Sequence, residues 1–237
     1  MAAAGDRVAA LDWDRIERDL NERGYALTGP LLHADECASL TAIYNDRERF
    51  RSRIEMARFR YGVGEYKYFA EPLPALVVEL RTALYRRLAP IANRWSKLLG
   101  GGGQEFPRSL GEYLKACHAA GQSRPTPLLL RYQAGGYNCL HQDLYGELAF
   151  PLQFTCLLSQ RGSDYEGGES LLVEQRPRAQ SRGEAIALDL GGALVFPNRY
   201  RPVAGARGHY RVSVRHGVST VRSGERFALG IIFHDAK

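Results

Sequence analysis

Apolar residues recur at roughly helical spacing through much of the first half of the chain. Leu11, Ile16 and Leu20 lie about one turn apart among charged residues, and Gly24 after them is suited to a helix C-terminus. The pattern predicts helices at residues 11–23, from residues 33–35 onward, at 75–99 with a break or kink near Pro90, and at 110–120, with a short strand at 25–27. Residues 1–126 are therefore expected to be mainly helical.

From residue 127 the pattern changes to short apolar or alternating runs separated by glycine-rich turns. These runs lie at residues 128–133, 148–158, 169–174, 185–190, 193–197, 210–218 and 226–233. Regularly spaced short strands of this kind are typical of a β-sandwich, a jelly roll or a small barrel. We therefore predict an α+β fold, with residues 1–237 forming a single domain in which the helical portion packs on a β-core at residues 127–237.

Residues 47–70 interleave arginines with aromatic side chains, and two interpretations of this segment remain open. It could form a lid, with Tyr61, Tyr66 or Phe69 stacking on a nucleic-acid base while arginines contact phosphates. It could equally be a solvated, charged helix whose aromatic side chains pack on the core.

The composition is ordinary for a soluble globular protein, with 45% hydrophobic and 24% charged residues. No apolar run has the length of a membrane span and the N-terminus lacks an apolar signal core, so we expect a cytoplasmic location. The 4 cysteines form no CxxC pair, which favours reduced, packed thiols over disulfides or a zinc site. The net charge of +6 is compatible with a polyanionic partner without requiring one.

The stretch 128–143, LLLRYQAGGYNCLHQD, contains the first candidate for chemistry. His141 and Asp143 are two residues apart, so in an extended segment their side chains lie on the same face. An imidazole nitrogen and a carboxylate oxygen could hold one metal ion there. With a second histidine they would complete the 2-His-1-carboxylate triad of non-haem iron oxygenases. The alternative is a surface histidine beside an aspartate in a turn.

The third ligand must come from one of the histidines that follow: His209, His216 or His234. His209 lies in a turn-like sequence, GARGHY, and His234 lies near the end of the last predicted strand. His216 shares one face of its strand with three valines, at positions 212, 214 and 218. An imidazole on such an inward face is either a core histidine with a hydrogen-bond partner or a metal ligand, and the two ligands upstream favour the second interpretation.

Arg226 is a candidate anchor for a carboxylate. We expect its strand to pair with the His216 strand through a three-residue turn at 222–224, which places both side chains on one face, roughly 13 Å apart between Cα atoms. The guanidinium fork suits a bidentate contact with a carboxylate. A two-residue turn would instead put the two side chains on opposite faces, and Arg226 could also be a solvated residue at the start of a strand.

Together, His141-x-Asp143, His216 and Arg226 ten residues later resemble the Fe(II)/2-oxoglutarate-dependent dioxygenases, whose core is a double-stranded β-helix, or jelly roll. The segments 166–169 (EGGE) and 191–196 (GGALVF) resemble the prolyl-hydroxylase branch of that superfamily.

Other segments are similar to the AlkB-type repair branch, in which the tyrosine matching Tyr132 contacts 2-oxoglutarate. These are Arg131-Tyr132, Gly135 and the segment 140–143. The chain as a whole resembles a bacterial family of 2-oxoglutarate oxygenases linked to oxidative demethylation of damaged nucleic acid. It departs from the repair enzymes at Ile232, where they have a second arginine, and at Ala228, where they have asparagine.

The resemblance implies an enzyme that binds Fe(II) through His141, Asp143 and His216. It further implies that Arg226 binds 2-oxoglutarate as a co-substrate, with Tyr132 as a hydrogen-bond partner. O2 then hydroxylates a C–H bond with release of succinate and CO2, and on an N-methyl group this yields formaldehyde and the demethylated product.

Three functions remain open at this point. The first is demethylation of alkylated, single-stranded or damaged nucleic acid, and the second is hydroxylation of a peptide, an amino acid or a small metabolite. The third is a non-catalytic jelly-roll binding or sensor protein. The basic segment 175–182 could touch phosphate, and Tyr145 and Glu147 could face the substrate.

Overall fold

The computed structural model describes residues 2–100, 105–143 and 146–237. The α-helices within these residues are α1 (Ala4–Ala9), α2 (Trp13–Glu22), α3 (Ala34–Ala42), α4 (Ala75–Leu98) and α5 (Leu110–Ala119). The four predicted helices correspond to α2 to α5, and α1 was not anticipated. Helix α4 continues through Pro90 without the predicted break. Among the described helices, none combines the length and the apolarity needed to cross a membrane.

The strands assemble into two mainly antiparallel sheets that face each other. They are β1 (Ala26–Thr28), β2 (Phe50–Glu55), β3 (Gly62–Val63), β4 (Glu65–Phe69), β5 (Leu128–Gln133), β6 (Tyr137–His141), β7 (Leu152–Leu157), β8 (Tyr165–Gly167), β9 (Ser170–Gln175), β10 (Arg182–Ile186), β11 (Ala193–Pro197), β12 (Tyr200–Gly205), β13 (Gly208–Val218) and β14 (Val221–Ile231). The first sheet has the order β1-β11-β7-β14-β5-β4-β2, and β8 pairs with β14. The second has the order β10-β9-β13-β6-β3, and β12 pairs with β13. The predicted α+β fold with a jelly-roll core is confirmed.

Period-two alternation along the strands of the first sheet places apolar side chains on both of its faces. On β14, Phe227, Leu229 and Ile231 face the helices and join a core with residues of α2, α3 and α4. The side chains between them face the second sheet. There, Leu172 and Val214 from the second sheet pack with residues of the first. The space between the sheets is only partly filled, and it contains the candidate site.

Residues 50–69 form strands β2, β3 and β4 with a short 3-10 helix at Met56–Phe59, so the interpretation of the segment 47–70 as one charged helix is wrong. The sequence alternates with period two, since Tyr66 and Tyr68 face one side of β4 and Lys67 lies between them. Strand β4 pairs with β5 and extends the first sheet. Helices predominate in the described residues up to 126, as expected, and this part of the chain also contributes the short strands β1 to β4.

Strands β13 and β14 do not form the predicted hairpin. Strand β13 pairs with β6, β9 and β12 in the second sheet, whereas β14 pairs with β5, β7 and β8. Ser219 and Thr220 therefore carry the chain from one sheet to the other. His216 and Arg226 face the same space because their two sheets are opposed. The predicted ladder between their strands does not exist.

The 4 cysteines are all unpaired thiols, as predicted. Cys37, Cys117 and Cys156 are buried in the protein, while Cys139 on β6 is exposed.

Candidate metal centre and its cavity

Two adjacent strands of the second sheet bring the three candidate ligands together. His141 ends β6 and is the register partner of His216 on β13, so the two imidazole rings lie side by side with centroids 4.2 Å apart. Asp143 follows two residues after His141, and its carboxylate lies beside both rings. One potential ligand atom from each residue lies within 4.8 Å of the others.

The hydrogen bonds around His141 define which of its nitrogens is free for a metal. Its Nδ1 lies 2.7 Å from the carbonyl oxygen of Cys139, so Nδ1–H donates to that oxygen in the neutral ring. The Nε2 lone pair is then directed toward Asp143, whose Oδ1 is 3.6 Å away. Burial, and next the charge of His216, lower the pKa of His141. The ring is therefore a neutral base near pH 7, as a metal ligand must be.

Asp143 also contacts His216, whose Nε2 lies 3.2 Å from the aspartate Oδ2. The Nδ1 of His216 is buried and has no hydrogen-bond partner within the described part of the chain. The imidazole nitrogens of both histidines and the two carboxylate oxygens of Asp143 thus lie close together. Two imidazoles and one carboxylate are the donor set of a non-haem Fe(II) site, so these residues fit the metal.

A cavity of about 470 Å³ extends from this cluster between the two sheets. Its walls are mostly apolar and include Leu130, Leu172 and Leu194. The volume falls in the range of small-molecule sites. The three candidate metal ligands, Arg226 and Tyr132 all line this one cavity.

Arg226 provides a positive charge inside the cavity. It is the register partner of Tyr132 on β5, it is only 3% exposed, and its guanidinium carbon lies 5.7 Å from the centre of the Tyr132 ring. Its Nε has no hydrogen-bond partner, and no carboxylate forms an ion pair with it, in residues 2–100, 105–143 and 146–237. A buried guanidinium without a counter-charge is unfavourable, so this position is suited to an anionic ligand.

The two tyrosines next to Arg226 are neutral. Burial raises the pKa of Tyr132 to about 12 against the opposing effect of the Arg226 charge, and burial also raises the pKa of Tyr165. The Tyr132 hydroxyl is buried, and the side chain of Asn138 lies close enough to oppose the rise in its pKa. As a neutral hydroxyl, Tyr132 can donate to a ligand carboxylate.

Gly168 shapes the pocket wall behind Arg226. Its φ of +61° is in the left-handed region, and a Cβ atom there would lie 2.8 Å from Cδ of Arg226. The EGGE segment therefore includes a glycine that the close approach of the arginine requires.

Some residues at the cavity were not recognised in the sequence. Gln153 of β7 faces inward and is 5% exposed, and the Phe196 ring of β11 contacts the His216 ring in a tilted arrangement with centroids 4.8 Å apart. The signal for Gln153 in the sequence was that it interrupts the apolar run LQFTCL, where a strand in the core would have an apolar side chain. Arg60 also lines the cavity.

The aromatic candidates of the segment 47–70 separate into different environments. Tyr61 and Tyr66 line the cavity, whereas Phe69 is fully buried in the core on the helix side. Phe59 and Tyr61 stack on each other with ring centroids 5.5 Å apart, and they are 52% and 48% exposed.

The remaining substrate-contact candidates lie away from the cavity or outside the described residues. Segment 175–182 does not line the cavity, and Arg176 and Arg182 pair with glutamates on neighbouring positions. Glu147 is exposed and lies 3.5 Å from the amine of Lys237, while Tyr145 lies outside the residues that the structure describes.

Residues 64–236 match the model of the protein family Oxygenase-NA, described as an oxygenase catalysing oxidative methylation of damaged DNA. Two Mycobacterium tuberculosis proteins, from strains CDC 1551 and H37Rv and both named only as uncharacterized, are each 53% identical over 183 residues. The alignment covers 75% of this chain and 78% of each relative.

Solved structures with a similar fold belong to 2-oxoglutarate oxygenases. A Pseudomonas putida prolyl-4-hydroxylase superposes with a TM-score of 0.55 at 16% identity, over 95% of this chain and 100% of that one. A 2OG-Fe(II) oxygenase family protein from Burkholderia pseudomallei gives a TM-score of 0.56 at 14% identity, over 96% and 94% of the two chains. At such low identity these similarities concern the fold.

Proposed function

The chain belongs to the Oxygenase-NA family and is a 2-oxoglutarate-dependent Fe(II) oxygenase, and on that premise we propose that it removes N-methyl groups from bases of single-stranded or damaged nucleic acid. The family description names damaged DNA as the target. Oxidation of a methyl group leads to its loss, so demethylation is the direction that this chemistry supports.

His141, Asp143 and His216 are the proposed ligands of Fe(II), and Arg226 with Tyr132 is the proposed site for the far carboxylate of 2-oxoglutarate. The iron, when bound with 2-oxoglutarate and O2, supplies the oxidising power for attack on a C–H bond. The apolar walls between the two groups hold the co-substrate's carbon chain and exclude water. Arg226 neutralises the carboxylate, and the Tyr132 hydroxyl donates a hydrogen bond to it.

The atoms of the reaction balance without a further reductant. One O2 is divided between 2-oxoglutarate, which becomes succinate and CO2, and the N-methyl group, which becomes N–CH2–OH. That group then loses formaldehyde and leaves N–H on the base. 2-Oxoglutarate supplies the two electrons that the reduction of O2 requires beyond those from the methyl group.

The observation that favours a nucleic-acid substrate is the exposed, stacked pair Phe59 and Tyr61, of which Tyr61 lines the cavity. Arg60 between them lines the cavity. Bases of single strands stack on exposed aromatic rings, each such contact contributing about 1–3 kcal/mol, and nearby arginines contact phosphates. Base chemistry in a deep pocket also requires an extruded base. Within the segment 47–70, these residues would then form a platform on which the substrate stacks.

The test is succinate formation from 2-oxoglutarate under air with Fe(II), with a methylated or an unmethylated single-stranded oligonucleotide. We expect only the methylated strand to stimulate turnover, with one formaldehyde released per additional succinate. His216→Ala should abolish turnover and reduce the iron retained after desalting, whereas His209→Ala, at an exposed histidine outside the cavity, should do neither.

Turnover that neither oligonucleotide stimulates would contradict the proposed substrate while leaving the enzyme class intact. Stimulation by a peptide or an amino acid would then support the second candidate function. The ten-residue spacing of His216 and Arg226 favours that candidate. So do Ala228 and Ile232, which occupy the positions where the repair enzymes have asparagine and arginine. Membership of an oxygenase family speaks against the non-catalytic sensor. We also propose that residues 1–237 act as one domain, and cytoplasmic location stays a prediction.

A further inference from the structure

Gln153 is a buried polar residue that none of the steps above uses. Its neighbours on β7, Leu152 and Phe154, are both in the core on the helix side, so the alternation of the strand turns Gln153 into the cavity. The residue is 5% exposed, and its Nε2 has no hydrogen-bond partner in the described part of the chain. A buried amide without a partner costs about 1–3 kcal/mol, so apolar packing does not account for it.

The sheet register places Gln153 at the metal end of the cavity. Its partner on β11 is Phe196, and side chains of paired residues lie next to each other on one face. The Phe196 ring is 4.8 Å from the ring of His216. Gln153 is thus separated from a candidate metal ligand by one aromatic side chain.

The same register separates Gln153 from the candidate carboxylate anchor. On β14, Ile231 is the partner of Phe154, and Arg226 lies five positions before Ile231. At about 3.3 Å per residue, Gln153 is roughly 17 Å or more from Arg226 along the sheet. Gln153 therefore cannot share the far carboxylate of the co-substrate with Arg226. Gln153 instead faces the end of the cavity where the candidate metal ligands lie, and the proposed function places the reacting part of the primary substrate at that end.

We propose that Gln153 is a specificity-determining residue that hydrogen-bonds to the nucleobase carrying the methyl group, an inference that rests on the proposed function. A carboxamide presents an acceptor and a donor side by side. Nucleobase edges present the complementary pair, as in the two-point contact of glutamine or asparagine with adenine. The aromatic side chain of Phe196 beside it provides a flat, apolar neighbour for the base.

The test compares the wild type with Gln153→Leu, which keeps the size of the side chain and removes both hydrogen-bonding groups. The control is Gln133→Leu, because Gln133 is exposed and lies outside the cavity. The probes are single strands with one N-methylated adenine or one N-methylated cytosine. The readouts are kcat/KM for each strand, KM for 2-oxoglutarate, and Kd for each labelled strand.

We expect Gln153→Leu to lower kcat/KM for the preferred strand by about 10-fold or more and to raise the Kd of that strand. The ratio of the kcat/KM values for the adenine and cytosine strands should move closer to one. The KM for 2-oxoglutarate should change less than about 2-fold, and Gln133→Leu should match the wild type. The variant should fold at least as stably as the wild type, because it removes a buried amide that lacks a partner.

Two results would overturn the assignment and leave the proposed function standing. One is that methylated strands stimulate the wild type and the Gln153→Leu variant prefers the same strand to the same degree. The other is a loss that appears mainly in the KM for 2-oxoglutarate, which would make Gln153 a co-substrate contact. A wild type that no methylated strand stimulates or binds would instead overturn the proposed function, and the nucleobase assignment with it.

Discussion

At the scale of single residues, the unpaired charge of Arg226 leads to a direct prediction about co-substrate affinity. Arg226→Lys keeps the charge but loses the planar fork that can contact a carboxylate at two points. One charge-assisted hydrogen bond contributes about 1.5–3 kcal/mol, so we expect KM for 2-oxoglutarate to rise by about 10- to 100-fold. Thermal unfolding gives a second readout, since 2-oxoglutarate at about 100 times its Kd should stabilise the wild type by about 2.7 kcal/mol.

The matched control for that substitution is Arg222→Lys. Arg222 lies on the same strand, its side chain is 62% exposed, and it pairs with Glu166 outside the cavity. Arg222→Lys should leave both the KM for 2-oxoglutarate and the ligand-induced thermal shift unchanged. An Arg226→Lys enzyme with the wild-type KM would show that the anion binds elsewhere.

The candidate ligands could be predicted at this scale because each has a local signature. His141-x-Asp143 is a short motif, and His216 interrupts an apolar strand face. Gln153 also interrupts an apolar strand, but a single glutamine has many structural explanations in a sequence. Only the fold shows that its amide has no partner and that the residue faces the metal end of a cavity.

At the scale of secondary-structure elements, Gly168 after β8 allows the close packing that positions Arg226. In Gly168→Ala the new methyl group would lie 2.8 Å from Arg226 Cδ and 3.0 Å from Cγ2 of Val221, at a residue with positive φ. We expect a loss of about 1–3 kcal/mol in the free energy of unfolding and a several-fold rise in KM for 2-oxoglutarate. Denaturant unfolding and a 2-oxoglutarate titration measure the two effects.

Gly183→Ala is the control, since a Cβ at Gly183 meets open space and its φ is not positive. Gly183→Ala should change neither the free energy of unfolding nor the KM for 2-oxoglutarate. If Gly168→Ala lowered stability but left the KM untouched, Gly168 would contribute to folding alone, and its proposed role in supporting Arg226 would be wrong.

The elements that the sequence predicted correctly have strong, regular periodicity, such as α4 and β5. The segment 50–69 was misread because its arginines and aromatics occur at both faces of its strands, which obscures the alternation. The relation of β13 to β14 was misread for a different reason. A short connection between two strands is compatible with a hairpin within one sheet and with a crossing between two facing sheets. The choice depends on long-range partners such as β5 and β9, which no local pattern reveals.

At the scale of the whole molecule, the C-terminal residues connect the helices to the β-core. The Asp235 carboxylate accepts a hydrogen bond from Arg81 of α4 at 2.8 Å, and both side chains are buried. Thr126 donates to the carbonyl of His234 at 2.5 Å, and the N–H of Phe150 donates to His234 Nδ1 at 3.1 Å. This network, in which Asp235 is 3% exposed, shows that Asp235 belongs to the core of the protein.

Fully buried His234 makes the stability of the whole fold depend on pH. Burial, and next the charge of Arg81, lower the pKa of His234 from 6.5 to about 4, with Asp143 and Asp235 acting in the opposite direction. Below about pH 6.5 the unfolded chain binds a proton at this residue and the folded chain does not, so this contribution to stability is lost as the pH falls toward about 4. The full loss from this one residue is about 3 kcal/mol.

His234→Asn removes the titrating group and keeps an acceptor for the Phe150 N–H. Urea unfolding with a metal chelator, compared between about pH 7 and about pH 4.5, measures the effect without a contribution from metal release. The informative quantity is the difference between the free energies of unfolding at the two pH values, because a loss of stability common to both cancels in it. We expect that difference to be smaller in the variant than in the wild type by about 2 kcal/mol. If the wild type and His234→Asn lost the same free energy of unfolding between the two pH values, His234 would be protonated in the folded state at acidic pH. The charges of Asp235 and Asp143 would then outweigh the effect of burial on its pKa.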